Sequence, residues 1–575
     1  MTEKGDTSAE TISVRRHPKP NNCPRRALVL VDPVTEWRQV LQAVKPLEKL
    51  KHRHENDYYD DNDDNEVLVV ITVLLRPTPE RLESFLPTPS MLHDSGVDHI
   101  IEMCNRDVYQ CVHDIEMLLL SYSGNDDSNK VASNALKVVG VVPLSEMAVD
   151  VSDLLAASLG CPHHNRLDLL TARRHKGRMK DVVRRNGGLR VAQYVSVTSL
   201  NDYRRRVRIE SEPIQEQLGQ GHHQHNERQN SNEEEKFPPS PMFFRLPLVV
   251  KTPQGFSTTD VFICHTSEEV QDAILTICGG SSTDEINQNN GSRNHRIGPD
   301  GRPVKEALVE EFIHGTEFAV NLMVLPCYSG GDDDDDNAND DAKQHSKNQS
   351  SSNIGLVVTD MWKYRKNKYA QYASADICNP NDPCFENLVK YAINVATAVG
   401  IRYGAAHVEL KTCEDQEGIF IDPCMIEVGA RLSGGRKAFM AQAALSLAAA
   451  SDSRWDPFLT LVRSHCGFIG FNNKKSKLTD IVPLQLDFSP NRFVRHLFLP
   501  IEQSGRVKKI HGLDDDLSSS LSTYHSMAML IKEGQLVEKT TDITTCAGFL
   551  WLCGERQLVD QDTKTFLDNF RVITV

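Results

Sequence analysis

The chain has 575 residues, enough for several domains, and a formal net charge of −15 from 64 Lys and Arg against 79 Asp and Glu. That balance argues against a general nucleic-acid binder, whose footprint is a basic face, and no apolar run reaches the ~20 residues of a membrane helix. The fourteen cysteines form no CxxC pair, which speaks against a zinc site or disulfide framework and for reduced thiols in the cytosol.

In chain order, residues 1–25 read as a disordered tail. Glu3, Asp6 and Glu10 there, with no apolar region, argue against a signal or transit peptide. From residue 26, RALVLVDP predicts a buried strand, EWRQVLQAVKPL a helix, VLVVITVLL a second strand, ALKVVGVVPL another, and EMAVDVSDLLAASLG a helix. Strands alternating with helices predict a parallel α/β domain over 26–165. Polar inserts at 52–66, 123–129, 215–236, 279–300 and 329–353 lack the apolar surface that offsets ordering and read as disordered loops. His222, His223 and His225 and the Asp332–Asp336 run belong to these inserts and read as filler rather than metal sites.

Residues 173–191, RRHKGRMKDVVRRNGGLRV, predict a basic helix stopped by Gly187 and Gly188. It has no aromatic residues for base stacking, which disfavours an RNA surface. Residues 246–264 read as strand, polar turn, strand, with Lys251 ending the first strand beside the turn 254–259. A cation there, next to backbone N–H groups and hydroxyls, suits phosphates; a solvated lysine is the plain alternative. Residues 307–324, ALVEEFIHGTEFAVNLMV, read as two strands about a kink at His314–Gly315, with acids on both sides; an edge hairpin is the alternative.

Residues 403–435, YGAAHVELKTCEDQEGIFIDPCMIEVGARLSGG, are the most informative. Two apolar runs each carry one acid, Glu409 and Glu427. If the strands end near Thr412 and restart after Pro423, a hairpin sets the two acids close to opposite each other. Carboxylates about 4 Å apart repel by roughly 4 kcal/mol at an effective dielectric near 20, an objection that a divalent cation removes. Oxygen-only ligands favour Mg²⁺ or Mn²⁺. Arg431 and the pliable Gly434–Gly435 pair follow, suited to anionic oxygens. His407 shares a strand face with Glu409 and is a candidate substrate contact or a satisfied structural histidine. Residues 472–575 predict a smaller α+β unit.

Lysine in a helix, strand–lysine–turn–strand, EEFIHGTEF, then HVEL…MIEVGAR resembles, in this order, the ATP-grasp superfamily of carboxylate–amine ligases, most closely its amino-acid (dipeptide) ligase branch. The fold class implied is α/β and α+β multidomain: a pre-ATP-grasp α/β domain (26–165), two α+β subdomains sandwiching ATP (166–471), and a small C-terminal α+β domain (472–575). The resemblance implies that Lys176 and Lys251 contact ATP, that Glu310 and Ile313 hold the adenine edge through backbone atoms, and that Glu317 binds the ribose. Glu409 and Glu427 would ligate Mg²⁺, Arg431 would steady the transferred phosphoryl group, and His407, Gly434 and Gly435 would meet the substrate. Two departures stand out: His175 where Asp is usual, and Gly429 where many members have Asn.

The implied reaction activates a carboxylate as an acylphosphate with ATP and joins it to an amine. The implied partners are small-molecule carboxylate and amine substrates, with no nucleic acid or membrane, in a cytoplasmic homodimer. Bicarbonate activation by a carboxylase, and an ATP-binding regulatory protein without turnover, are the alternatives. Arg365 or Lys366, ahead of a loop at 369–383, could hold a substrate carboxylate or be solvated.

Overall fold

The structure, a computed structural model, describes residues 26–34, 36–49, 68–76, 86–122, 137–209, 242–255, 260–279, 304–326, 354–367, 371–445, 456–466, 492–513 and 515–575. The expected tail, residues 280–300 of one insert, the other four inserts with their His and Asp runs, and residues 256–259 of the Lys251 turn lie outside these.

The N-terminal strands β1 (Arg26–Val31), β2 (Leu68–Arg76), β3 (His99–Cys104) and β4 (Lys137–Pro143) form a parallel sheet in the order β3-β2-β1-β4. The apolar runs of β1 and β2 are continuous because both faces are covered. Leu28, Leu30 and Val70 pack with Val40, Leu41 and Leu461 on one side; Val29 and Ile71 pack with Ile115, Val151 and Leu155 on the other. The edge strand β3, HIIEMC, is half-exposed, which is why its sequence carries no clear strand signal.

A second sheet, antiparallel, has the order β5-β10-β8-β9, from β5 (Tyr194–Val197), β8 (Leu248–Lys251), β9 (Val261–Cys264) and β10 (Ala307–Glu311); β6 (Val207–Ile209) and β7 (Met242–Phe244) pair beside it. The third sheet has eight strands in the order β15-β14-β11-β12-β13-β16-β20-β18. These are β11 (Thr316–Pro326), β12 (Ile354–Lys366), β13 (Tyr372–Cys378), β14 (Ala405–Glu414), β15 (Phe420–Gly429), β16 (Phe493–Leu499), β18 (Tyr524–Met529) and β20 (Gly548–Gly554). A small sheet, β19-β17-β21, joins β17 (Gly505–His511), β19 (Leu536–Val537) and β21 (Arg571–Thr574).

The 307–324 segment is therefore not an edge hairpin. β10 pairs with β5 and β8, β11 with β12 and β14, and the kink carries the chain from one sheet to the other. Gly315 makes the crossing at φ +105°, where a Cβ would stand 2.1 Å from the Thr412 carbonyl oxygen; no other residue fits. The C-terminal strands also differ from a self-contained unit. β13 offers a free edge that β16 fills at Ser374–Asp376, and Arg495 locks it with a two-point pair to Asp376 at 2.7 and 2.9 Å. The central sheet thus runs on into the C-terminal segment.

Candidate functional site

A cleft of about 600 Å³ is lined by the second and central sheets and by segments of the N-terminal domain outside its strands, at residues 34–39, 86–91 and 145–147. At its floor β14 and β15 pair so that Glu409 lies directly opposite Glu427. The hairpin is longer than the sequence suggests: β14 runs to Glu414, and Pro423 sits inside β15, next to Asp422 at φ +54° and a register shift between Lys411 and Cys413. A bulge, rather than a strand start, accommodates the missing N–H.

The carboxylates are held differently. Glu427 Oε2 is 2.8 Å from Lys176 Nζ. Glu409 Oε1 meets His407 Nε2 at 3.1 Å and the Tyr364 hydroxyl at 3.4 Å. Burial pushes the Glu409 carboxyl up, but His407, Lys437 and Lys366 outweigh it and bring it down to about 2. His407 Nδ1 is 2.7 Å from Asn321 Oδ1, and Asn321 donates to Asp360 and, at 3.2 Å, to Ser433. Both ring nitrogens of His407 are therefore engaged, so it positions Glu409 and has no ring atom to spare for a substrate.

The lysines converge from two elements. Helix Lys176–Gly187 begins where His175 Nδ1 accepts the Arg178 N–H, the capping role an Asp would fill, and ends on Gly188 at φ 60°. Lys176 donates to the Gly255 carbonyl as well as pairing with Glu427. One turn on, Lys180, which the sequence reading missed, pairs with Glu310 at 2.9 Å, and Lys251 pairs with the other Glu310 oxygen at 2.9 Å. The i, i+4 spacing from Lys176 was the available signal. Burial pushes the Lys180 amine down to about 8, against the pull of Glu310.

The three remaining candidate ATP contacts have partners within the protein. Glu310 is paired in register on both sides of β10, so its main chain belongs to the ladder and what it offers is a carboxylate for two lysines. The Ile313 carbonyl accepts from Lys411 Nζ at 3.0 Å, and Glu317 accepts from Lys366 and Tyr372, both at 2.7 Å. Lys366 is thus paired with Glu317, and Arg365 with Asp376 at 3.0 Å.

Across the cleft Arg431 Nε donates to Glu146 Oε2 at 2.6 Å, while Arg174 holds the other Glu146 oxygen at 2.7 Å. Burial alone would raise Glu146; Arg431 and Arg174 keep it lowered. Beyond Arg431, Gly434 and Gly435 line the cleft with Lys437, whose amine burial pushes down to about 8. Facing them is Glu36 at φ +55°. Burial raises its carboxyl to about 8, and its Oε2 has no hydrogen-bond partner among the described residues.

No protein-family model matches the chain. It is 23% identical over 327 residues to dapdiamide A synthase of Enterobacter agglomerans, an alignment covering 56% of this chain and 58% of that protein. The chain thus spans little more than half the length of that curated relative. The L-amino acid ligase from Bacillus licheniformis superposes with a TM-score of 0.55 at 14% identity, covering 96% of this chain and 99% of that one. The chain has the ATP-grasp fold. Two further ATP-grasp structures superpose with TM-scores of 0.50. One is N5-carboxyaminoimidazole ribonucleotide synthetase in complex with ADP (10% identity, 95% and 97% coverage). The other is carboxyaminoimidazole ribonucleotide synthase from Aspergillus clavatus with ATP (11%, 95% and 98%).

The donor set has a chemistry that suits Mg²⁺. Two directly opposed carboxylates, one tied to a histidine and one to a lysine, are oxygen donors that leave coordination positions for phosphates and water. No group of three or more His, Cys, Asp or Glu that could hold a metal ion exists among the described residues, so this pair is the candidate donor set. At Gly429 a Cβ would stand 2.9 Å from Glu146 Oε2, so a side chain there would make that carboxylate shift. The space an asparagine would use is filled by the carboxylate that clamps Arg174 and Arg431. Among the described residues no helix is long and apolar enough to cross a membrane.

Proposed function

We propose that the protein is an ATP- and Mg²⁺-dependent ligase that activates a substrate carboxylate as an acylphosphate and joins it to an amine, with amino acids as substrates. The observation that carries this is the in-register Glu409–Glu427 pair in one cleft with Lys176, Lys251 and Arg431. The dapdiamide synthase and L-amino acid ligase likenesses support the amino-acid reading.

A carboxylate oxygen attacks the γ-phosphorus, the bond to the bridging oxygen breaks, and ADP leaves. The amine nitrogen then attacks the acyl carbon, phosphate leaves with the C–O electrons, and the ammonium product loses its proton. Phosphoryl transfer asks for positioning and charge stabilisation. Lys176 and Lys251 supply fixed positive charge for the phosphates, and Arg431, anchored by Glu146, supplies it for the transferred group. Glu409 and Glu427 would hold the Mg²⁺, which when bound neutralises phosphate charge. His407 keeps Glu409 in place and ionised.

The test is phosphate release from MgATP, screened against pooled amino acids, small carboxylates and bicarbonate, with Glu427→Gln as control. Release that depends on an amino-acid pool and disappears in the variant supports the ligase. Release with bicarbonate alone indicates a carboxylase, and ATP binding without release under any pool indicates a regulatory protein.

A further inference from the structure

At the end of the cleft beyond Gly434 and Gly435, the wall is aromatic. The His496 ring stacks on Trp551 with centroids 4.8 Å apart and planes 12° from parallel. Phe498 and Phe549 stand 4.4 and 5.3 Å from the same ring. All four line the cleft. Trp551 Nε1 donates to the Gly435 carbonyl at 3.3 Å, fixing the wall to the glycine loop. The loop keeps its side open: nothing lies within 4 Å of where a Gly434 Cβ would be, whereas a Gly435 Cβ would press on His496 at 3.0 Å.

His496 is 1% exposed, and neither ring nitrogen has a hydrogen-bond partner among the described residues. Burial, reinforced by Lys437, drives its pKa far below the ordinary value, so the ring is neutral. A neutral imidazole carries one N–H donor and one bare acceptor nitrogen, and both are unmet here. Packing alone would be served better by phenylalanine, since buried polar atoms without partners are costly. The rings give this end of the cleft an aromatic lining, with the Arg436 guanidinium 5.4 Å over Trp551, and His496 adds a polar edge that asks for a hydrogen-bonding group.

We propose that this chamber is the side-chain pocket of the enzyme's amino-acid substrate, and that it selects a planar aromatic side chain with a hydrogen-bonding atom on its edge, such as a phenol or indole. The proposal rests on the amino-acid-ligase reading above and adds the substrate class to it.

The test is calorimetric binding of L-tyrosine, L-phenylalanine and L-alanine to the full chain saturated with MgADP, alongside phosphate release with each. Tyrosine is expected to bind at least tenfold more tightly than alanine, with phenylalanine between them. His496→Phe keeps the stacked ring and should erase the tyrosine advantage over phenylalanine; Trp551→Leu should weaken both. Thermal melts of each variant show that it is folded. Equal affinities for tyrosine and alanine, no saturable tyrosine binding, or an unchanged tyrosine-to-phenylalanine ratio in His496→Phe overturns the pocket. Tyrosine binding without phosphate release supports the pocket while sinking the ligase reading. Release with alanine but no tyrosine binding does the reverse.

Discussion

Replacing Glu310 by Gln tests the electrostatic floor of the cleft. Glu310 holds two ammonium groups at 2.9 Å, with the Lys180, Lys251 and Glu310 side chains 0%, 5% and 5% exposed. Removing one partner of a buried pair costs about 3–5 kcal/mol, because the other charge is left uncompensated. Here two charges are stranded, and a glutamine amide accepts from one lysine at most. The expected loss in unfolding free energy at pH 7 is roughly 3–5 kcal/mol rather than twice that, since the cluster has an outlet. Burial already brings Lys180 down to about 8 from 10.5 despite Glu310, so without the carboxylate Lys180 sheds its proton. A lysine whose folded pKa is depressed binds fewer protons folded than unfolded, so the variant's stability rises with pH up to about 10.5. The deficit against wild type should therefore narrow from pH 7 to pH 9, and MgATP should narrow it further by bringing phosphate charge to Lys251. Denaturant melts at both pH values, with and without MgATP, measure this. A loss below about 1 kcal/mol at pH 7, or a deficit that widens with pH, would show that the three groups are not the coupled buried cluster described.

Three further outcomes follow from other contacts. Arg431→Met should lower kcat by about 10²–10³ with little change in KM for ATP, and Glu146→Gln should shift kcat the same way by less, because the amide can accept from one arginine and not two; single-turnover phosphate release separates the two. His175→Ala should cost about 1 kcal/mol or more in a denaturant melt through the lost cap, and His175→Asp should keep the cap but lose the contact to Glu306 and set two acids together, so it should recover only part of that stability. Glu36, raised by burial from 4.5 to about 8, keeps its full stability contribution below pH 4.5 and loses it as pH rises through about 8, so Glu36→Gln should remove a downward slope worth roughly 5 kcal/mol in all. Unfolding measured from pH 4.5 to 9 checks this, and a wild-type slope that persists in the variant counts against it.

What the sequence disclosed was what periodicity and local chemistry encode. β1, β2 and β4 announce themselves as apolar runs, and the Glu409–Glu427 pairing follows from two acids in two apolar strands joined by a turn. Gly187–Gly188 stops the basic helix close to where it ends. What stayed hidden depends on long-range placement. Glu146 reaches Arg431 from 285 positions away, and nothing around Glu146 distinguishes it from any loop acid. The main chain of Glu310 carried a ligand role implied by the resemblance; its pairing with strands on both sides is a fact only register supplies. Lys180 and Lys437 read as surface lysines in a helix until burial is known.

The glycine at 429 shows how such hidden placement bears on function. Taken alone, a glycine where related chains carry an amide oxygen suggests a weakened metal site and a protein that binds ATP without turning it over. In three dimensions the same glycine is opposite His407 in the β14–β15 ladder and beside Glu146. A side chain there would displace the carboxylate that orients Arg174 and Arg431. On the proposed reading the exchange would give up one neutral oxygen near the Glu pair and leave room for the carboxylate that holds Arg431. On the reading proposed above, Mg²⁺ would then rest on Glu409 and Glu427, and the clamp on each would matter more. His407 holds Glu409 down near 2, and Lys176 fixes Glu427. The glycine by itself therefore does not argue for a protein that binds ATP without turnover: both carboxylates and the arginine of the proposed site are each held by an ion pair.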